Sequence, residues 1–443
     1  MQVNLSYKNI LKIAYPIILS SLAQNIINLT DTIYLGRLNE TIFAAAAIAS
    51  IYYAVIILVG LGFANGVKIL IGRRNGEKHF AEIGVLFEQS IYFLIFLSGI
   101  LLIFLQTCTP FILSYIIHSD GVRNACTVYL QYRSWGIPFV MIAMGFRGFY
   151  IGIASAKALA QSTALMALAN ALFNYILIFG HCGIAPMGMK GAAIGSAIAE
   201  CMGMLYLISY SYFEKENKVF ELFKYRGINF PLLKKILKLS LPIMLQHLLS
   251  ISSWLTFFLL IEKMGERSLA VSNIIRSMYM LLMLPGWGYN MAASTIISNL
   301  IGEGREAAVL PALKKIFKLS LLTAIVLCVI LMLCPAIWIS GFTNNPSLIN
   351  DTVPVLYVIA GALVIFSISW VSFGAIEGTG KTKIALLIDI ITLICYMTAT
   401  YYMVMLRKST IQEVWLVEFI YLGILGILCI SYLQSKRWQN VVL

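Results

Sequence analysis

The sequence predicts an all-α integral membrane protein: twelve transmembrane helices in two six-helix lobes, related by a pseudo-twofold axis along the membrane normal. Three observations carry this. The 443-residue chain is 60% hydrophobic and 12% charged, more apolar surface than a soluble chain of that length can bury. Apolar stretches of roughly twenty residues, long enough to span a bilayer, recur throughout. The chain is also written twice. A shift of 226 (242 − 16) sets Pro16 on Pro242, Leu11 on Leu237, Lys12 on Lys238, Glu40 on Glu266 and Tyr53 on Tyr279. In that register Gly60 and Gly62 meet Gly286 and Gly288, Gly76-Glu77 meets Gly302-Glu303, and Gly148 and Gly152 meet Gly374 and Gly378. Two halves of six spans enter the membrane with the same orientation, as in transporters whose lobes rock about a central site. The lobes read as residues 1–213 and 236–443, joined by a cytoplasmic linker over 214–235.

Span 1 (10–35) is led by Pro16 and carries Gln24, Asn28 and Asp31 at spacings that turn the three roughly to one side, toward the lobe interior. The preceding segment lacks a short apolar core with a small-residue cleavage site, so it reads as the start of span 1 and not as a removable signal peptide. Span 2 (43–71) holds the Gly62/Gly66 pair and Lys68; span 3 (86–113) opens with Glu88. Span 4 (128–153) carries Arg147 and Gly148/Gly152, and span 5 (159–181) sets Asn170 and Asn174 four apart on one face. Span 6 (191–212) combines Gly191/Gly195 with Glu200, near mid-bilayer, for which Arg147 is the nearest plausible partner. The linker interleaves apolar and basic residues and reads equally as an amphipathic segment on the inner leaflet or a solvated connector. Span 7 (236–261) repeats the leading proline and carries His247, which could titrate, with Ser250, Ser252 and Ser253 nearby. Span 8 (269–299) holds Arg276 in its outer third, as a partner for the other lobe or for a headgroup. Span 9 (315–340) is apolar; span 10 (352–376) ends near Gly374, Glu377 and Gly378; span 11 (384–405) opens near Asp389; span 12 covers 414–433. Lys68, Glu88, Glu377 and Asp389 fall toward cytoplasmic ends, where snorkelling and ion pairs account for them. The glycine pairs permit close helix approach.

The net charge of +13 is orientation information and not a nucleic-acid signal. Of 32 Lys and Arg, 21 fall in segments on one side of the membrane and 7 in loops on the other, which puts both termini in the cytoplasm. A multi-pass protein of the bacterial cytoplasmic (inner) membrane, monomeric, is expected, with the lipid bilayer and a small-molecule substrate as its partners and no nucleic acid. The eight cysteines are scattered, without metal spacing or a disulfide framework. Gly378-Thr379-Gly380-Lys381-Thr382 imitates the end of a phosphate-binding loop, but Ala375 stands where the motif needs its first glycine, so ATP-driven transport is not expected. No HExxH, GxSxG or His/Cys cluster is present, so no enzyme and no cofactor is expected. A channel is disfavoured because no span has a continuous polar face.

Several stretches in order then carry a resemblance. NLTDTIYLGRLNE closes span 1, GFANGVKILIGRRNGE (Gly62–Glu77) closes span 2, and MLPGWGYNMAASTIISNLIGEG (Met283–Gly304) is its counterpart. FRGFYIG (Phe146–Gly152) and NALFNYILIFGHCGIAPMGMKGAAIGSAIAE (Asn170–Glu200) lie between them. Together they resemble the multidrug and toxic compound extrusion (MATE) family, over nearly the whole chain. The resemblance implies a secondary antiporter that exports organic, cationic or amphipathic compounds in exchange for H⁺ or Na⁺ by alternating access. It marks Asp31 as the coupling acid. In some members the pair matched by Asn170 and Asn174 is an Asn and an Asp beside the ion, so Na⁺ at Asp31, Asn170 and Asn174 is implied. Asn174 still offers a carbonyl oxygen but cannot take up a proton. Members with an acid in span 7 find no match here, and Phe257 stands opposite Asp31 in the register, so a second-lobe carboxylate site is not expected. Glu200, Arg147, Arg276 and His247 remain secondary candidates, and Trp254, Trp287 and Tyr289 could line a path for bulky cations. The alternative is a lipid or lipid-linked oligosaccharide flippase of the same superfamily, although such proteins line their cavity with basic residues and this chain has few in mid-span.

Overall fold

A computed structural model describes residues 5–439, and among these the regular structure is helical throughout. Twelve helices are long and apolar enough to cross a membrane: α1 Tyr7–Gly36, α2 Glu40–Gly76, α3 Phe80–Ile116, α4 Asp120–Gly152, α5 Lys157–Phe179, α6 Met189–Phe213, α7 Phe230–Glu262, α8 Glu266–Gly302, α9 Glu306–Leu333, α10 Pro346–Gly378, α11 Thr382–Leu406 and α12 Ile411–Gln434. Helix is the economical solution in lipid because each backbone N–H and C=O is satisfied within its own segment. Where helices begin in water, side chains take over. The Asn39 carboxamide oxygen accepts from Ile42 N at 2.7 Å, Asn345 caps α10, and Thr410 with Glu413 forms a capping box on α12.

Each expected span corresponds to a helix, with two boundary corrections. Span 9 stops at Leu333 and not near 340. Pro335 forces Cys334 out of helical backbone (φ −144°, ψ 63°) and starts a separate short helix, Pro335–Ser340. The linker is shorter than expected, since α7 already begins at Phe230.

Two compact units form. One is Leu19–Met244; the other takes the start of α1 as far as Ile18 together with the chain from Leu245 onward. The two switch points, after residues 18 and 244, are themselves 226 apart (244 − 18), and each lies two residues past the leading proline, Pro16 or Pro242.

The duplicated glycines mark helix crossings. In the first unit, a Cβ on Gly62 would lie 2.7 Å from the Met244 Cα, and one on Gly66 2.7 Å from the Ser240 Cα, so α2 meets the start of α7 backbone to backbone. In the second unit Gly288 faces the side chain of Ile18, and Ile18 is the register mate of Met244. Likewise a Cβ on Gly148 would come within 2.9 Å of the Ala64 carbonyl oxygen, and one on its mate Gly374 within 2.5 Å of the Asn290 carbonyl oxygen. Any larger residue would have to push the helices apart.

The linker packs its aromatic residues against α3 and α4. A 3₁₀ turn, Lys215–Phe220, buries Phe220 edge-on to Phe80 and Phe149, and Phe223 packs on Phe87. Glu88, for which snorkelling or an ion pair was expected, is 5% exposed and pairs with Arg226 at 3.5 Å. Its carboxylate accepts from the backbone N–H of Lys224 (2.6 Å), Tyr225 (3.2 Å) and Arg226 (3.1 Å). Gln89 adds two more links, accepting from Asn229 N at 2.7 Å and donating to the Gly227 carbonyl at 3.0 Å. These bonds anchor the end of a stretch with left-handed positions at alternate residues, Glu221, Phe223 and Tyr225.

Two turns repeat a left-handed backbone position across the register. Lys78 (φ 61°) and Ala154 (φ 60°) in the first repeat correspond to Gly304 (φ 69°) and Gly380 (φ 87°) in the second. Gly380 therefore belongs to a helix-ending turn, which explains the imitation phosphate loop. A Cβ at such a backbone angle costs about 1–2 kcal/mol, partly offset by the extra freedom glycine has in the unfolded chain. Ala154→Gly is therefore expected to stabilise the protein by about 0.5–1 kcal/mol, read as a higher thermal unfolding midpoint in detergent.

Candidate ion-coupling site

The site is built inside the first unit by α1, α5 and α6. Gly191 and Gly195 give α6 a bare face, and α5 closes on it: a Cβ on Gly191 would sit 2.5 Å from the Leu177 carbonyl oxygen, and one on Gly195 would strike the Asn174 carboxamide oxygen. That close approach places Asn170 (1% exposed), Asn174 (0%) and Ser196 (4%) around Asp31. Asn174 Nδ2 donates to Asp31 Oδ1 at 2.5 Å, Ser196 Oγ donates to Asp31 Oδ2 at 3.5 Å, and Asn170 Nδ2 donates to Ser196 Oγ at 3.1 Å. The two amide oxygens, Asn170 Oδ1 and Asn174 Oδ1, are buried without a hydrogen-bond partner. Two lone-pair-bearing oxygens beside a carboxylate form a hard donor set.

One helical turn along α6 from Ser196 lies Glu200, and its partner differs from the expected one. Arg133 and not Arg147 pairs with it, in a two-pronged contact with Nη1 donating to Oε2 at 2.6 Å and Nη2 to Oε1. A break in α4 makes this possible. Pro138 cannot donate a backbone hydrogen bond, α4 tightens into a 3₁₀ turn at Ser134–Gly136, and Gly136 leaves the space that the carboxylate and guanidinium fill. The Arg133 guanidinium also covers the Tyr53 ring at 4.2 Å.

The other candidates lie apart from this cluster. Gln24 and Asn28 are exposed on α1 and take no part in holding Asp31. Arg147 stays in α4 with its Nε buried and unbonded. Arg276 sits over the Phe258 ring at 5.0 Å, and His247 is half-buried on α7. Among the described residues, no three His, Cys, Asp or Glu side chains come together to hold a metal ion. Sequence reasoning missed Ser196 and Arg133. Ser196 stands four residues before Glu200, on the same helix face, and that spacing could have found it.

The MatE family model matches residues 16–176 and 242–402, two segments offset by the same 226 (242 − 16 and 402 − 176) that relates the repeats. The chain belongs to the multidrug and toxic compound extrusion family. A MATE chain is a multi-pass membrane transporter, and the relatives agree in extent. The chain is 27% identical over 395 residues to the probable multidrug resistance protein NorM of Pasteurella multocida, covering 88% of this chain and 83% of that one. It is 23% identical over 446 residues to the NorM of Synechocystis sp., covering 98% and 95%. Among solved structures, a MOP superfamily transporter from Pyrococcus furiosus superposes with a TM-score of 0.90 at 18% identity, over 97% of this chain and 95% of the other. That likeness is one of fold.

Breaking the Arg133–Glu200 pair on one side leaves an uncompensated buried charge. Glu200→Gln is expected to destabilise this MATE protein by about 3–5 kcal/mol, whereas Arg133→Leu with Glu200→Leu recovers most of that loss. Thermal unfolding of the single and double variants checks both.

Proposed function

We propose that this MATE protein exports organic compounds, cationic or amphipathic, in exchange for inward H⁺ or Na⁺, with Asp31 as the coupling group. The relatives named as multidrug resistance proteins support the substrate class. The observation that carries the coupling assignment is the Asp31 carboxylate beside the unbonded oxygens of Asn170 and Asn174. Asp31 is the acid of that cluster and can take a proton; with the two amide oxygens it can also share a small hard cation. The excess of Lys and Arg on one side supports cytoplasmic termini in a bacterial inner membrane.

The amides explain how one site can serve two charge states. With Asp31 charged, Asn174 turns its N–H to the carboxylate and Ser196 adds its O–H. A proton on Asp31 makes that oxygen a donor, and a cation replaces the donors altogether. A proton on Oδ1, or a cation, requires the Asn174 carboxamide to turn its oxygen inward, which a second Asp could not do by rotation. Because Asn174 packs against Gly195, that turn disturbs the α5–α6 contact and couples ion occupancy to helix packing.

Asp31→Asn is expected to insert and fold while extrusion of a fluorescent organic cation drops to the background of cells lacking the transporter. Extrusion at the wild-type rate by that variant sinks the assignment. In inverted vesicles, an imposed pH gradient compared with an imposed Na⁺ gradient identifies the ion. If Na⁺ is carried, Asn170→Ala weakens Na⁺-driven export and leaves its dependence on pH largely in place.

A further inference from the structure

The second unit contains a buried carboxylate that none of the above uses. Glu418, near the start of α12, is 3% exposed. Its Oε1 accepts from the Tyr396 hydroxyl of α11 at 3.0 Å, and its Oε2 from the Tyr279 hydroxyl of α8 at 3.0 Å. Both tyrosines are buried. The surroundings are rings: Phe257 stacks on Tyr396 at 5.7 Å and meets Trp415 edge-on at 5.2 Å, and Trp254 stacks on Tyr279 at 6.4 Å. Trp415 itself is fixed by its indole N–H, which donates to Ser272 Oγ at 3.0 Å. Among the described residues no Lys, Arg or His nitrogen lies within ion-pair distance of Glu418, in contrast to the Arg133–Glu200 pair of the first unit.

The repeat register gives this pocket its meaning. Tyr396 occupies the place of Asn170, Phe257 that of Asp31, and Tyr279 that of Tyr53, each by the shift of 226. Glu418 falls on Ala192 (418 − 226), one helical turn before Ser196 on the same helix. The second repeat thus keeps an acid at the position equivalent to the first-unit site, supplied from its last helix in place of its first. We infer that Glu418, held by Tyr279 and Tyr396, is a second protonation site, in the unit where Phe257 replaces the coupling acid.

The ligand is a proton and not a metal cation. Both carboxylate oxygens already receive hydroxyl groups, the remaining walls are aromatic, and no further acid, His or Cys joins to complete a ligand set. A packing role alone would not call for a group whose charge, unpaired by a base, is costly inside a membrane protein. Taking up a proton from water forms one O–H bond on Glu418 and turns that oxygen from acceptor to donor. The tyrosine hydroxyl that donates to it must then rotate to accept, or move away. Charge on Glu418 is thereby tied to the seating of α8 or α11. The titratable groups facing it are Tyr279 of α8 and Tyr396 of α11, with Tyr421 of α12 edge-on to Tyr396 at 5.4 Å; α7 presents the rings of Phe257 and Trp254. The next acids of this unit are Asp389 of α11 and Glu377 of α10, both buried.

The test uses the full chain in lipid vesicles and infrared difference spectra recorded across a pH titration, reading the C=O band of protonated carboxyl groups. Asp31→Asn is expected to keep a titrating band that Glu418→Gln lacks. A Glu418→Gln titration identical to wild type overturns the inference. Should Glu418→Gln not insert, Tyr396→Phe removes one of the two hydroxyls and is expected to displace the midpoint of that band by about one pH unit; an unmoved midpoint overturns it equally. The transport arm alone rests on the exporter reading above. There, proton-driven ethidium export by Glu418→Gln is expected to have an altered pH profile, and a wild-type profile removes Glu418 from coupling even if Asp31→Asn abolishes export.

Discussion

Hydrocarbon offers a polar side chain no water, so a charge within a span is costly unless another group of the protein answers it. Most of this chain's buried architecture follows from that demand. Glu200 is answered by Arg133, Glu88 by three backbone N–H groups of the linker, Asp31 by Asn174 and Ser196, and Glu418 by two tyrosine hydroxyls. The four solutions differ in kind. An ion pair and a triad of backbone donors fix a carboxylate in one geometry and hold structure in place. Neutral side-chain donors that can rotate suit an acid whose charge changes.

The duplication separates scaffold from chemistry along the same line. What both repeats keep is steric: glycines where α2 crosses α4 and where α8 crosses α10, and left-handed turns at residues 78 and 304 and at 154 and 380. A crossing at backbone contact admits one residue type, so drift there is punished at once. A polar cluster requires only that its members satisfy one another, and it can be rebuilt with other residues. Asp31, Asn170 and Ala192 in one repeat become Phe257, Tyr396 and Glu418 in the other, and the acid changes helix while its surroundings remain buried.

Legibility follows the range of the interaction. Asp31, Asn170 and Asn174 could be found because intramembrane polar residues at helical spacing announce a shared face, and the structure joins them. Gln24 and Asn28 satisfied the same spacing yet are exposed, since periodicity defines a direction but not what lies in it. Arg133 and Arg147 are 14 residues apart on α4, about four turns, and so point to similar sides of a regular helix. The 3₁₀ turn at Ser134–Gly136 and the space left by Gly136 decide which of them meets Glu200. Glu418 lies near the start of its span, where a carboxylate reads as solvated from pattern alone; the rings that cover it come from α7, α8, α11 and the start of α12 itself.

By itself, then, the sequence determined the membrane class, the twelve spans, the repeat register and the family. These rest on properties summed along the chain: hydropathy over some twenty residues, turn-breaking prolines, and glycines recurring at one offset. The tertiary structure alone decided which charges pair, that Glu88 ties down the linker, and that the second unit carries a buried acid. Those outcomes depend on side chains from helices far apart in the chain meeting at hydrogen-bond distance. A shift of one helical position, or a single tightened turn, changes the partner without leaving a trace in the local pattern.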